Sequence, residues 1–152
     1  MGGIFHRGNG DCIWKCFSKN VVCQTIENGR DLRTIIVTSN QHFWDEKQKE
    51  VRNAVDSLVN GGQYNVVSVK TCYSDEYLTS AEIQYNVAND CNNKNLRVEF
   101  IYSDEHFWDL KQKEIKPRLE QIVNSGQYDI QETNTIMLKG YLVAAEVYYR
   151  EK

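Results

Sequence analysis

The sequence predicts an α+β protein made of two tandem βαββ repeats, each with one amphipathic helix and antiparallel-rich strands. The first observation is an internal repeat. Shifting the 152-residue chain by 64 positions aligns residues 32–85 with residues 96–149 without a gap, and 22 of the 54 aligned residues are identical. The second is that both copies show the same order of β-branched, helical and alternating segments. Such self-similarity indicates a duplicated structural unit.

Each repeat opens with a predicted strand, at residues 33–38 and 97–102. Both segments, R-T-I-I-V-T and R-V-E-F-I-Y, are rich in β-branched and aromatic residues, which suit a pleated sheet. Short polar residues follow: Ser39 and Asn40, then Ser103 and Asp104. Because these side chains can accept hydrogen bonds from free N–H groups, they predict that a helix begins directly after them.

The next element of each repeat is a predicted helix, at residues 41–59 and 105–123. Apolar residues recur at helical spacing, namely Phe43, Val51, Val55 and Leu58, then Phe107, Ile115, Leu119 and Ile122. This predicts an amphipathic helix whose phenylalanine belongs to the buried stripe. Glycines after residues 60 and 124 are expected to end the helices. Pro117 predicts a kink in the second helix, because it removes a backbone hydrogen bond.

Two more strands complete each repeat. They are predicted at residues 64–72 and 78–85, and at 128–136 and 142–149. Ala81, Ile83 and Tyr85 alternate with polar residues, which is the period of a half-buried strand. The turns between these strands differ most between the copies, and we expect such turns to tolerate change.

The repeats divide the chain into four parts. Residues 1–31 form an extension with an extra strand or hairpin, in which residues 12–23 are the candidate segment. Residues 32–85 and 96–149 are the repeats, and the asparagine-rich residues 86–95 form a surface linker. Each repeat is close to the lower size limit for folding alone. We therefore expect the two to share a core, joined edge to edge or packed face to face.

Composition narrows the classes of function. The formal net charge is −3 and both repeats are acidic, which argues against nucleic acid. The basic residues Lys111, Lys113, Lys116 and Arg118 keep nucleic-acid binding as an alternative. The five cysteines do not match between repeats, and we find no membrane-spanning apolar run. These features predict a cytoplasmic protein, and we expect no cofactor.

The repeat resembles a family of short sporulation-associated proteins of spore-forming bacteria. The resemblance rests on Ser103, Asp104, Glu105 and His106 before an amphipathic helix, and on the final A-E-V-Y-Y segment at residues 145–149. It covers residues 96–149 well. The first repeat departs from the pattern, because Asn40 and Gln41 replace the acidic pair. The resemblance implies a βαββ-type unit and no particular activity.

The polar residues offer two candidate chemistries, each with a simpler explanation. A hydrolase-type site could use His106, Asp109 and Glu146, because a His–Asp pair in a first helical turn can act as a general base. Alternatively, acidic residues there simply offset the helix dipole, and Glu82 and Glu146 pair with Arg33 and Arg97. A weaker alternative is a zinc site formed by His6, Cys12, Cys16 and Cys23, whose spacing is irregular.

The favoured function is non-catalytic binding. The duplication predicts pseudo-twofold surfaces with a groove at their join, and tryptophan and tyrosine are frequent interface anchors. The simpler explanation for each tryptophan is that it extends the core. We predict an inhibitor-like or sequestering protein that engages a protein partner or a small ligand, with a homodimer as a further option. The predicted binding residues are Trp44, Trp108, Tyr85, Tyr149, His42 and His106.

Overall fold

The structure, a computed structural model, describes residues 19–87 and 95–152. Within these ranges the chain forms two helices and seven strands in two antiparallel sheets. The predicted α+β class is therefore confirmed. The chain divides into two compact units, residues 1–95 and residues 96–152.

The first unit is a four-stranded sheet with one helix. Its elements are β1 (Val21–Glu27), β2 (Leu32–Ser39), α1 (Trp44–Asn60), β3 (Asn65–Ser74) and β4 (Tyr77–Asn86), and the strand order is β1-β2-β4-β3. The strand β1 pairs with β2 along its whole length. It overlaps the segment proposed for an extra strand or hairpin at residues 21–23. Residues 12–18 of that segment lie outside the described residues.

The second unit is a three-stranded sheet with one helix. It contains β5 (Arg97–Ile101), α2 (Trp108–Asn124), β6 (Tyr128–Leu138) and β7 (Tyr141–Glu151), in the order β5-β7-β6. In both units the last strand in sequence, β4 or β7, lies between the other two strands of the βαββ repeat. The pairings β3–β4 and β6–β7 have irregular register at corresponding places, after Val66 and after Ile130.

Both helices begin three residues later than predicted. The first helical hydrogen bond of α1 runs from the Lys47 N–H to the Phe43 carbonyl at 2.8 Å. The hydroxyl of Ser39 accepts a bond from the Gln41 N–H at 3.1 Å, and Ser103 accepts one from Glu105 at the same distance. These hydroxyls therefore close a turn before the helix and do not cap it.

The later start changes the position of the two phenylalanines. Phe43 and Phe107 occupy the N-cap positions, with extended backbone. Their side chains are 72% and 68% exposed. The prediction that they belong to the buried stripe is wrong, because neither residue has entered the helix that would direct it toward the sheet.

The helices bury unequal apolar stripes. In α1 five residues are buried: Val51, Ala54, Val55, Leu58 and Val59. In α2 only Ile115 is buried, although Leu119 and Ile122 pack against a core that includes Ala145 and Val147. Arg118 of α2 corresponds to Ala54 of α1, so α2 lacks this small buried residue. The helix α2 is continuous through Pro117.

The face of each sheet away from its helix also differs between the units. In the second unit this face carries Val98, Phe100, Glu146 and Tyr148, which are all buried. The corresponding residues of the first unit are Thr34, Ile36, Glu82 and Gln84. Glu82 is exposed whereas Glu146 is fully buried. This face therefore has a more apolar composition in the second unit.

Candidate functional site: the aromatic tips

The first unit carries two aromatic residues in contact where α1 begins and β4 begins. Trp44 is the first residue of α1 and Tyr77 the first residue of β4. Their rings meet edge to face with centroids 5.6 Å apart and planes at 76°, a favourable aromatic geometry. Trp44 is 46% exposed. We call Phe43, Trp44 and Tyr77 the first aromatic tip.

The second unit repeats this arrangement. Trp108 at the start of α2 and Tyr141 at the start of β7 have ring centroids 6.0 Å apart, with planes at 49°. Phe107 precedes them and is exposed, as is Met137 at the end of the neighbouring strand. We call Phe107, Trp108 and Tyr141 the second aromatic tip.

The core does not explain why both phenylalanines are present. The sequence H-F-W-D at residues 42–45 returns unchanged at residues 106–109. Yet Phe43 and Phe107 project mostly into solvent. An exposed phenylalanine contributes little buried area to folding. Exposed apolar clusters often mark interaction surfaces, so the tips are the strongest candidate for a functional site.

The two tips differ in charge at the strand turn beside them. Asp75 in the first unit corresponds to Lys139 in the second. The Lys139 ammonium lies 5.7 Å from the centroid of the Trp108 ring, within range of a cation–π interaction. In the first unit, burial and the nearby carboxylates of Glu76, Asp45 and Asp75 raise the pKa of Tyr77. Carboxylates therefore lie beside Tyr77 of the first tip.

A second pair of aromatic residues lies at the opposite end of the central strand in each unit. Tyr64 and Tyr85 have ring centroids 4.5 Å apart, and so do Tyr128 and Tyr149. Burial, with smaller effects from Tyr85 and Cys23, raises the pKa of Tyr64 to about 12.

The position of these tyrosine pairs separates residues that the sequence predicted to form one binding surface. Tyr85 follows Tyr77 by eight positions in β4, which corresponds to about 26 Å in an extended strand. Trp44 contacts Tyr77, so Tyr85 lies far from it. The same holds for Trp108 and Tyr149. The predicted set of binding residues therefore splits into two places in each unit.

The histidines stand beside the tips but outside the helices. His42 and His106 precede the N-cap residues and are exposed. The expected helical spacing from His106 to Asp109 therefore does not exist, since only Asp109 belongs to α2. Asp45 and Asp109 do lie in the first helical turns, where a carboxylate offsets the helix dipole.

Glu146 does not join this group. It lies in β7 between Ala145 and Val147, which belong to the core shared with Ile115 of α2. Because side chains alternate along a strand, Glu146 points to the other face. Its Oε1 accepts hydrogen bonds from the Tyr148 hydroxyl at 2.7 Å and from Asn134 Nδ2 at 3.1 Å.

The proposed pairing of arginine with these glutamates is wrong. Arg33 is opposite Tyr85 in the sheet, whereas Glu82 is opposite Ile36, so the two side chains point to different faces. Arg33 instead contacts Glu27 at 3.4 Å. The same alternation separates Arg97 from Glu146 in the second unit.

The described residues offer no support for a metal centre. Cys23 is buried in β1, whereas His6, Cys12 and Cys16 lie outside the described ranges. Within residues 19–87 and 95–152, no three His, Cys, Asp or Glu side chains are grouped so that they could hold a metal ion.

The basic residues of α2 are partly engaged in local contacts. Lys111 donates to the Ser103 carbonyl at 3.0 Å, and Arg118 donates to the Tyr102 carbonyl at 3.4 Å. Arg118 also lines an open cleft of about 420 Å³ together with the acidic residues Asp104, Glu105 and Glu114. The surface beside Arg118 is therefore mixed in charge, unlike the basic stripe that tracks a phosphate backbone.

None of the helices among the described residues is both long and apolar enough to cross a membrane. Comparison with protein-family models, curated proteins and solved structures finds no match to this chain.

Proposed function

We propose that this protein is a non-catalytic binding protein that engages a protein partner through its two aromatic tips. The observation that carries the proposal is the retention of H-F-W-D in both units, with its phenylalanine exposed each time. Tryptophan and tyrosine are common anchors of protein interfaces. Occupying such a partner would make the protein inhibitor-like in its action.

A protein partner fits the tips better than an enclosed small ligand. Phe43 and Phe107 project from the N-terminal ends of α1 and α2 and are mostly exposed. Small-molecule sites usually surround most of the ligand surface, whereas an exposed anchor becomes buried when it enters a pocket on a partner.

The other candidate functions receive less support. A hydrolase site needs its general base and supporting carboxylate within hydrogen-bonding reach. His106 stands before α2, while Glu146 occupies the sheet face away from that helix.

We also propose a reducing, cytoplasmic setting. It is supported by Cys72, which carries a free thiol.

The test compares partner retention by three forms of the full chain. The first is the wild type, and the second carries Phe43→Ser and Phe107→Ser. The control carries Val67→Ser and Val123→Ser, which also remove two partly exposed apolar side chains. Each tagged form is purified from its native cell, co-purifying proteins are quantified by mass spectrometry, and candidates are tested for direct binding as purified proteins.

We expect the wild type and the control to bind the same protein, and the tip variant to bind it at least about tenfold more weakly. Retention of that protein by the tip variant would contradict the proposal. So would the absence of any directly binding protein in the wild-type sample. A further variant, His106→Ala, should leave binding intact although the sequence suggested His106 as a binding residue, because His106 precedes the N-cap and is not part of the second aromatic tip.

A further inference from the structure

The second unit already places a cation against its tip tryptophan. Lys139 lies in the turn between β6 and β7 with φ of 50°, and its ammonium stands 5.7 Å from the Trp108 ring centroid. The negative face of an indole attracts an ammonium at this distance. The second aromatic tip therefore shows how a basic side chain can be held on this arrangement of residues.

The first unit has the same turn with the opposite charge. Asp75 occupies the position of Lys139, and the two residues have similar φ values of 53° and 50°, although the next residue has a positive φ only in the second unit, where Gly140 has φ of 88°. The neighbouring residue is Glu76 where the second unit has Gly140, and Asp45 and Glu46 lie in the first turn of α1. The Trp44–Tyr77 pair is thus bordered by carboxylates.

We propose that the first aromatic tip binds a lysine or arginine side chain supplied by the protein partner. This inference rests on the proposed function and names the chemistry that the partner must present. The partner's cation would occupy the place at Trp44 that Lys139 occupies at Trp108. The carboxylate of Asp75 would attract this cation, whereas the second tip has Lys139 at that position. Asp45 would add to the attraction, although its counterpart Asp109 is present beside the second tip as well.

Complementary charge also explains why the two tips should behave differently. At the second tip a basic side chain from a partner would have to displace Lys139 and would be repelled by it. The second tip should therefore contribute apolar contacts through Phe107, while the first adds recognition of a cation. The part of the partner that meets the first tip should accordingly be basic.

The experiment uses the full chain labelled with ¹⁵N and follows the indole N–H signals of its tryptophans. The probe is a short peptide of alternating lysine and glycine, titrated at low ionic strength because salt screens exposed charges. The matched probe has the same sequence with every lysine acetylated, which keeps the length and removes the charge. Signals are assigned with Trp44→Phe and Trp108→Phe variants.

We expect the lysine peptide to shift the Trp44 signal at peptide concentrations that leave the Trp108 signal unchanged. The acetylated peptide should bind at least about fivefold more weakly. Asp75→Lys should weaken binding at Trp44 by about tenfold or more, because it supplies an internal cation. The reciprocal Lys139→Asp should make Trp108 respond. Asp75→Asn, which suits a positive φ, should have an intermediate effect.

Equal binding of the acetylated peptide, or unchanged binding by Asp75→Lys, would overturn the inference. Partner retention separates it from the proposed function. If Asp75→Lys retains the native partner and the Phe43→Ser, Phe107→Ser variant loses it, the binding function stands and the cation site is wrong. If the phenylalanine variant retains the partner, the proposed function itself is wrong.

Discussion

The Tyr148 hydroxyl donates a 2.7 Å hydrogen bond to Oε1 of Glu146, a side chain with no exposed surface. The amide of Asn134 donates to the same oxygen at 3.1 Å. A buried carboxyl is costly unless its oxygens are hydrogen-bonded. Glu146 therefore has a structural role in β7. Its carboxylate is stabilised by the two hydrogen bonds, and Tyr148 and Asn134 need it as their acceptor.

Replacing Glu146 by alanine should destabilise the protein. We expect the free energy of unfolding to fall by about 1–3 kcal/mol, because Tyr148 and Asn134 would lose an acceptor in a buried place. Glu82→Ala, at the corresponding exposed position of the first unit, should change it by less than about 0.5 kcal/mol. Urea unfolding of both variants measures the difference, and equal losses would contradict this role for Glu146.

The two glutamates show which part of the fold the sequence could not reveal. Glu82 and Glu146 occupy equivalent positions in identical A-E contexts, so their patterns predict the same surroundings. Their burial differs, and so do their neighbours on the same sheet face: Thr34, Ile36 and Gln84 in the first unit, and Val98, Phe100 and Tyr148 in the second. The order of strands and helices follows from periodicity, whereas burial of one side chain depends on contacts between elements.

The candidate site was only partly predictable for a similar reason. Repetition pointed to Trp44 and Trp108, but spacing alone placed Phe43 and Phe107 in the helical stripe. Helix starts are set by which carbonyl accepts the first bond, and a pattern fixes them only within a few residues. Tyr77 and Tyr141 are strand-end tyrosines that favour a binding surface, but the sequence alone does not show that they meet Trp44 and Trp108.

The unequal helical stripes predict unequal losses on truncation. Leu58 is 2% exposed in α1, whereas Ile122 in α2 packs only partly against its core. Leu58→Ala should lower the free energy of unfolding by about 2–5 kcal/mol, as is usual for a buried leucine. Ile122→Ala should cost less, because fewer contacts are lost. Chemical denaturation of both variants checks the order, and a larger loss for Ile122→Ala would contradict the assigned burial.

Alkaline pH should destabilise the first unit through Tyr64. Burial raises its pKa from an ordinary 10.0 to about 12. A folded-state pKa above the unfolded value means that the neutral form is favoured by folding. This stability is present in full below pH 10 and is lost as the pH rises towards about 12. Tyr64→Phe should therefore flatten the fall in stability between those values.

The measurement is urea unfolding at a series of pH values, with ionisation of tyrosine followed by ultraviolet absorbance. Part of the decline should remain in the variant, because burial also raises the pKa of Tyr85 and of Tyr149. Identical slopes for wild type and Tyr64→Phe would show that Tyr64 is not the group responsible.

The exposure of the tip phenylalanines predicts that folding does not need them. Phe43→Ser and Phe107→Ser should each change the free energy of unfolding by less than about 0.5 kcal/mol. Phe100→Ser makes the same chemical change at a residue that is 8% exposed, and should cost about 3 kcal/mol or more. Thermal and urea unfolding of the three variants give the comparison. If Phe43→Ser were as harmful as Phe100→Ser, folding would explain why a phenylalanine is present at this position in both repeats, and the proposed binding surface would lose its support.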